Sequence, residues 1–187
     1  MPEIATGTSM YLHIEGTNGG TVPGESRDSV HMNEIQLQSF EVHISADKSG
    51  GEGAWRPTFS PITISVVTGR SSPSLFKAIC SGSVYKRFTI GCHKQGAGRG
   101  SSETISRGDY LQWRFCDVQI VDYSMKVEED KPTETIQISY QIVEMFYARQ
   151  DNHGALTDPV TRTWSLDENK EAAVVTLPFK PKGGPPT

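Results

Sequence analysis

The side chains best equipped for chemistry are five histidines, His13, His31, His43, His93 and His153, and three cysteines, Cys80, Cys92 and Cys116. No two histidines stand at HExxH or HxH spacing, and none adjoins a CxxC pair, so no local metal-ligand set is present. Cys92 and His93 are adjacent, but neighbours on a strand point to opposite faces and do not readily share one metal. An odd number of dispersed cysteines is not a disulfide framework, and the three read as small buried apolar residues. Gly96, Gly98 and Gly100 have the GxGxG shape of a phosphate loop, yet the run does not open a helix within a βαβ unit. No GxSxG nucleophile elbow occurs. Glu128, Glu129 and Asp130 are carboxylates in a solvated turn. What remains for catalysis is a Cys/His/Asp group assembled only by the fold. The residues by themselves ask for no reaction, cofactor or metal, and the chain reads as a non-enzyme.

Composition narrows the alternatives. The chain has 187 residues, 35% of them hydrophobic, and a formal net charge of -4. The mean hydropathy is -0.43 and the pI about 5.7. Length suffices for one domain with a proper core. No run approaches the ~20 apolar residues of a membrane-spanning helix, so no membrane insertion is expected. The acidic balance argues against binding nucleic acid by phosphate neutralisation. Residues 1–9, MPEIATGTS, have neither the basic nor the apolar region of a secretory leader, which predicts synthesis and folding in the cytoplasm.

The elements that must position these residues are mostly strands. Alternating apolar residues predict strands at Met10–Ile14, about Glu34–Ile44, Ile62–Val66, Phe88–Cys92, Tyr110–Tyr123, Ile136–Tyr147 and around Trp164–Leu166, and Val174–Leu177 could add another. Two of them switch parity: Ile35 and Leu37 give way to Phe40, Val42 and Ile44, and Leu111, Trp113 and Phe115 give way to Val118 and Ile120. A bulge is therefore expected near Ser39 and another near Cys116 and Asp117. The single convincing helix is Ser71–Gly82, with Ser72 as N-cap, Pro73 in the first turn and Gly82 as C-cap. It is too short to be stable alone, so its Leu75, Phe76 and Ile79 stripe must dock on the sheet. Polar loops cover residues 47–57 and 94–107, and a turn falls at Asp151–Gly154. About eight mostly antiparallel strands and one helix predict a small antiparallel β-barrel with the helix packed on its side. The predicted division is an extension over 1–9, a barrel domain over 10–169 and a flexible tail over 170–187.

The strand faces turned away from this core carry Gln36 and Gln38, Thr63 and Ser65, Gln112 and Arg114, Gln119, then Gln137, Ser139 and Gln141. A solvated sheet face is ordinarily rich in Lys and Glu. Uncharged amides and hydroxyls can be pressed against another subunit, or line a wet passage, without the cost of burying charge. Trp55 and Arg56, at the end of the Gly-rich loop, are candidates for anchoring a neighbour.

The motif order then resembles a known family. Tyr11-Leu12-His13-Ile14-Glu15-Gly16 precedes Gly24-Glu25-Ser26-Arg27-Asp28 and His31. Ser72-Pro73-Ser74-Leu75-Phe76 follows, ending in Cys80-Ser81-Gly82. Asp117-Val118, Ile136-Gln137-Ile138-Ser139-Tyr140 and Trp164 come later. This series is similar to the Hcp family, the haemolysin-coregulated proteins that build the inner tube of bacterial type VI secretion systems. The resemblance spans Met10 to about Asn169. It implies a barrel that associates as a homo-hexameric ring. Rings stack into a tube that meets sheath and spike proteins, carries effector proteins in its lumen and is itself secreted without a signal peptide. It also implies that the loop matching Ala46–Pro57 helps one ring meet the next. The longer loop at Gly16–Gly24 and the tail beyond Asn169 depart from the family pattern. Two alternatives stay open: a tube protein of a phage-like contractile particle, and a monomeric β-barrel binding module.

Overall fold

Among the described residues the alternation of β-branched and aromatic residues is realised as eleven strands and one helix. The computed structural model describes residues 7–47, 56–94, 108–128, 130–150 and 155–173. The strands are β1 (Thr8–Gly16), β2 (Ile35–Glu41), β3 (Ile44–Asp47), β4 (Arg56–Phe59), β5 (Ile62–Val67), β6 (Val84–Lys94), β7 (Asp109–Glu128), β8 (Lys131–Ser139), β9 (Ile142–Gln150), β10 (Leu156–Ser165) and β11 (Lys170–Glu171), with helix α1 (Ser72–Ser81) between β5 and β6. Trp55, the GxGxG run, the turn at Asp151–Gly154 and the expected strand at Val174–Leu177 lie outside the described residues.

The main sheet runs β11-β10-β9-β7-β6-β1-β2-β5-β8, and a further pairing of β7 with β8 closes six of its strands into an antiparallel barrel. Strand β7 makes this closure possible by its length of 20 residues. Along one edge its first half, Leu111–Cys116, pairs with β9, and its second half, Gln119–Glu128, pairs with β8. Both expected parity switches are present. Strand β2 shifts register against β5 between Leu37 and Ser39. Asp117 adopts a left-handed φ of 53°, and Phe115 and Val118 both reach the core from either side of it. The single strand expected over Ile136–Tyr147 is instead two. It breaks at Tyr140 and Gln141, where the chain leaves the barrel for the β9–β10–β11 flank. There the Gln141 N–H donates to the carbonyl of Cys116 at 3.0 Å.

The barrel is filled by its own side chains. Leu12, Ile14, Ile62, Ile64, Phe88, Ile90, Phe115, Ile136 and Ile138 are all essentially inaccessible. Burying each such side chain contributes about 1.5–3 kcal/mol. A barrel packed in this way is a core and not a channel.

Helix α1 docks with a different face from the one its apolar residues suggested. Leu75 and Ala78 are buried and Ile79 packs at the core's margin, whereas Phe76 is 57% exposed and makes an edge contact with Tyr123. Ser72 is the first helical residue, not the cap: the N-cap is Ser71, and the Ser72 hydroxyl accepts from the Gly69 N–H at 2.9 Å. Gly82 caps the C-terminus with a left-handed φ of 61°.

Candidate functional site

The segment Gly24–Glu34 is held by its own short-range chemistry. The backbone N–H groups of Gly24 and Ser26 donate to the carbonyls of Asn33 and Glu34, at 2.7 and 3.1 Å. This closeness is what requires glycine at 24, because a Cβ there would sit 2.2 Å from the Glu34 carbonyl oxygen. Asp28 Oδ1 accepts from the backbone N–H groups of Val30 and His31 at 2.8 and 3.1 Å. Burial works against the Asp28 charge, but these bonds outweigh it and lower its pKa. Glu25 reaches the start of the helix region, where its Oε1 accepts from the Arg70 N–H at 3.2 Å.

The segment thereby inserts His31 into the molecule, fully buried. Its Nδ1 lies 2.8 Å from Glu34 Oε2 and its Nε2 lies 3.0 Å from Asp109 Oδ1. Tyr11 stacks flat on the imidazole, with ring centroids 4.2 Å apart. Burial disfavours the imidazolium, yet the two carboxylates overrule it and raise the His31 pKa to about 9. The ring is a buried cation at neutral pH, with each nitrogen against a carboxylate.

Asp109 starts a polar chain that runs through the fold. Gln112 Nε2 donates to Asp109 Oδ2 at 3.0 Å, and Arg114 Nη2 donates to Gln112 Oε1 at 2.6 Å. Arg114 Nη1 forms a short ion pair with the buried Glu144, whose second oxygen accepts from Thr163 Oγ1 at 3.0 Å. His31, Asp109, Gln112, Arg114, Glu144 and Thr163 thus tie the 24–34 segment to β7, β9 and β10. Gly91 leaves room for the junction, since a Cβ there would lie 2.4 Å from an Asp109 carboxylate oxygen.

Chemically, this chain is built to hold charge in place. His31, His93 and Asp109 have donor atoms within 4.8 Å of one another. A protonated His31 has no lone pair to offer a metal. Cys92 is buried nearby, and burial together with the Asp109 charge pushes its thiol up to about 11, so it is no thiolate at neutral pH. Cys116 is half-buried and Cys80 is exposed, which corrects the expectation that all three cysteines are buried.

The residues singled out from sequence separate into two sets. Gln112 is 2% exposed and belongs, with Arg114, to the internal chain just described, so neither stands on an open polar face. Gln141 is exposed at the β8–β9 break, where its amide, in the orientation that satisfies it, donates to Asp167. Gln36 and Gln38 are exposed on β2, and Gln137 and Ser139 are half-exposed on β8. They share one outer face with Thr63 and Ser65 of β5, as the registers Thr63↔Gln137 and Ser65↔Thr135 require. Ser65 Oγ donates to Gln38 Oε1 at 3.3 Å across it. Ser124 of β7, opposite Thr135, extends the face to a fourth strand. Arg56 opens β4, exposed, opposite Asp47. Sequence reasoning missed the His31 chain because its members are far apart in sequence. The one available signal was the density of turn-forming and capping residues from Gly24 to Asp28, directly before a histidine.

A closed six-stranded barrel with one lateral helix is an architecture shared with known proteins. The model of the family "Type VI secretion system effector, Hcp" matches residues 11–147. The chain belongs to the Hcp family. Its fold is similar to that of Hcp1 from Salmonella typhimurium, at 23% identity and a TM-score of 0.70, over 88% of this chain and 99% of that one. A structure described as a type six secretion system protein matches at 21% identity and a TM-score of 0.75, over 89% and 100% of the two chains. Hcp1 of the E. coli EAEC 042 pathovar, in a doubly substituted form, matches at 15% identity and a TM-score of 0.66, over 84% and 99%. The comparison with curated protein sequences gave no match.

Proposed function

We propose that this chain is the tube-building subunit of a type VI secretion apparatus. It assembles as homo-hexameric rings that stack, carries effector proteins in the ring lumen, works with sheath and spike proteins, and is itself secreted without a signal peptide. The observation that carries this reading is the amide and hydroxyl patch across β2, β5, β8 and the second half of β7, which is bordered by the charged Glu41 opposite Thr63, Asp122 opposite Gln137 and Lys126 opposite Thr133. Gln38, Ser65, Thr135 and Gln137 can be desolvated against a neighbour or kept wet beside a passage at little cost, which a face of lysines and glutamates could not be. Membership of the Hcp family supports it. So does the filled barrel interior, which leaves the space between subunits as the place for a passage. Arg56 and the loop before it, with Trp55, are the proposed contact between successive rings. In the described residues no helix is long and apolar enough to cross a membrane.

The reading is tested by export. In cells with an intact apparatus the chain is expected in the culture medium, and in cells whose sheath cannot contract it is expected to stay inside. Equal release from both would contradict a role in the expelled tube.

A further inference from the structure

Helix α1 has a second face that the barrel does not use. Leu75 and Ala78 point inward, with Ile79 at the margin. Pro73, Phe76, Lys77 and Cys80, at i, i+3, i+4 and i+7, are all exposed and fall on one outer stripe. A helix docked by one face ordinarily turns charged and polar residues to water. Here the outer stripe is centred on a phenylalanine more than half exposed, and its one charge is Lys77.

The complementary feature is an apolar groove of about 550 Å³ between the β3–β4 hairpin and the β9–β10 flank. Ile44 and Phe59 form one wall, and Trp113, Met145 and Trp164 form the other. Ile44 and Met145 are exposed, and the indole N–H of Trp164 is buried with no acceptor among the described residues. Two charges border the groove. Arg162 donates to the Thr161 carbonyl at 2.8 Å, and the carboxylate of Glu171 stands exposed. Helix and groove lie at opposite ends of the barrel. Phe59 precedes the first residue of β5 and α1 follows its last, and six residues of strand span about 20 Å. Strand β7 repeats this order, with Trp113 of the groove in its first half and Tyr123, against Phe76, in its second. The helix therefore cannot fill the groove of its own molecule.

We infer that α1 of one copy lays its outer stripe into the groove of the neighbouring copy in the ring. Phe76 enters between the Ile44–Phe59 wall and the Trp113–Met145 wall, and Lys77 meets Glu171. The exposed hydroxyl of Ser74, beside Lys77 on the helix, supplies the acceptor that the Trp164 N–H lacks. A second copy is the fitting occupant on three counts. A closed ring needs two different, mutually complementary surfaces on every protomer, and these are two such surfaces. Spacing of i, i+3, i+4 and i+7 is how a helix anchors in an apolar groove. The lysine of the stripe complements the free carboxylate at the rim. The inference rests on the tube reading and adds to it a specific contact, separate from the amide and hydroxyl patch.

The test uses the exposed thiol of Cys80 on the full chain. Met145→Cys places a second thiol on the groove wall, and the rings are oxidised with diamide. Covalent dimers and larger species, up to six protomers, are expected, and the Cys80→Ser/Met145→Cys variant is expected to give none, since Cys92 is buried and Cys116 half-buried. Independently, Phe76→Ser is expected to raise the protomer concentration at which rings form by about tenfold, read by light scattering, with its fold checked by a thermal melt. Native rings alongside unchanged assembly of Phe76→Ser, or rings that oxidise without intermolecular cross-links, overturn the proposal and leave the tube reading standing. An introduced thiol that resists maleimide in the diluted monomer also overturns it, because the chain then covers its own groove. A native chain that forms no rings at any concentration removes both readings.

Discussion

His31 is the residue on which the site turns. Its pKa, raised from 6.5 to about 9 by Asp109 and Glu34 against the opposition of burial, links folding to pH. The stabilisation is complete below about pH 6.5, as long as the two carboxylates stay ionised, and is lost as the pH rises through about 9. At 1.36 kcal/mol per unit its ceiling is about 3 kcal/mol. The stability gap between the native chain and a His31→Gln variant, measured by urea denaturation, is therefore expected to narrow steadily from pH 6.5 to 9. A gap that stays constant would show that the imidazole is not held as a cation. Gly24 gives a second expectation at this scale. Its missing Cβ admits the Glu34 carbonyl, and no side-chain adjustment can relieve a backbone clash of 2.2 Å. Gly24→Ala should cost several kcal/mol, whereas Gly20→Ala, in the open loop nearby, should cost under about 1 kcal/mol in the same denaturation measurement.

At the scale of elements, the helix separates what alternation can and cannot read. Pro73 in the first turn and Gly82 at the left-handed C-cap were legible, while the N-cap was read one residue late, at Ser72 in place of Ser71. Its docking face was not, because Phe76 and Leu75 are equally apolar, and only the position of β7 decides that Leu75 goes in. Leu75→Ala is accordingly expected to destabilise by about 2–5 kcal/mol. Phe76→Ser, on the exposed side, should cost well under half as much. Thermal melts of the two variants check this, and the reverse order would mean that the helix docks by the other face. The strands follow the same logic. Both bulges showed in the sequence, because a change of parity must be absorbed somewhere. The break at Tyr140 and Gln141 did not, because Ile136, Ile138, Tyr140 and Ile142 alternate straight through it. Nothing local marks the point at which the chain leaves the barrel. Gln112 was misplaced for a related reason: alternation puts it opposite Trp113, and only the flanking β9–β10 layer turns that side of β7 into an interior.

At the scale of the molecule, the barrel interior is full, the 24–34 segment is bolted to the flank through Arg114 and Glu144, and an amide and hydroxyl patch stands on the outer side of β2, β5, β8 and β7. The barrel and its single helix were readable from the strand pattern and the family resemblance. The division of polar residues between an internal chain and an outer face was not, since both are written in the same glutamines and arginines. The central claim is that the outer face is a surface for building rings. The most direct test is the molar mass of the native chain and of a Gln38→Asp/Ser139→Asp variant by light scattering, with negative-stain images of the same peaks. The account predicts ring-shaped particles near six times the protomer's 20.6 kDa for the native chain, and smaller species for the folded variant. A native chain that stays monomeric at high concentration, or rings of unchanged mass in the variant, would contradict it.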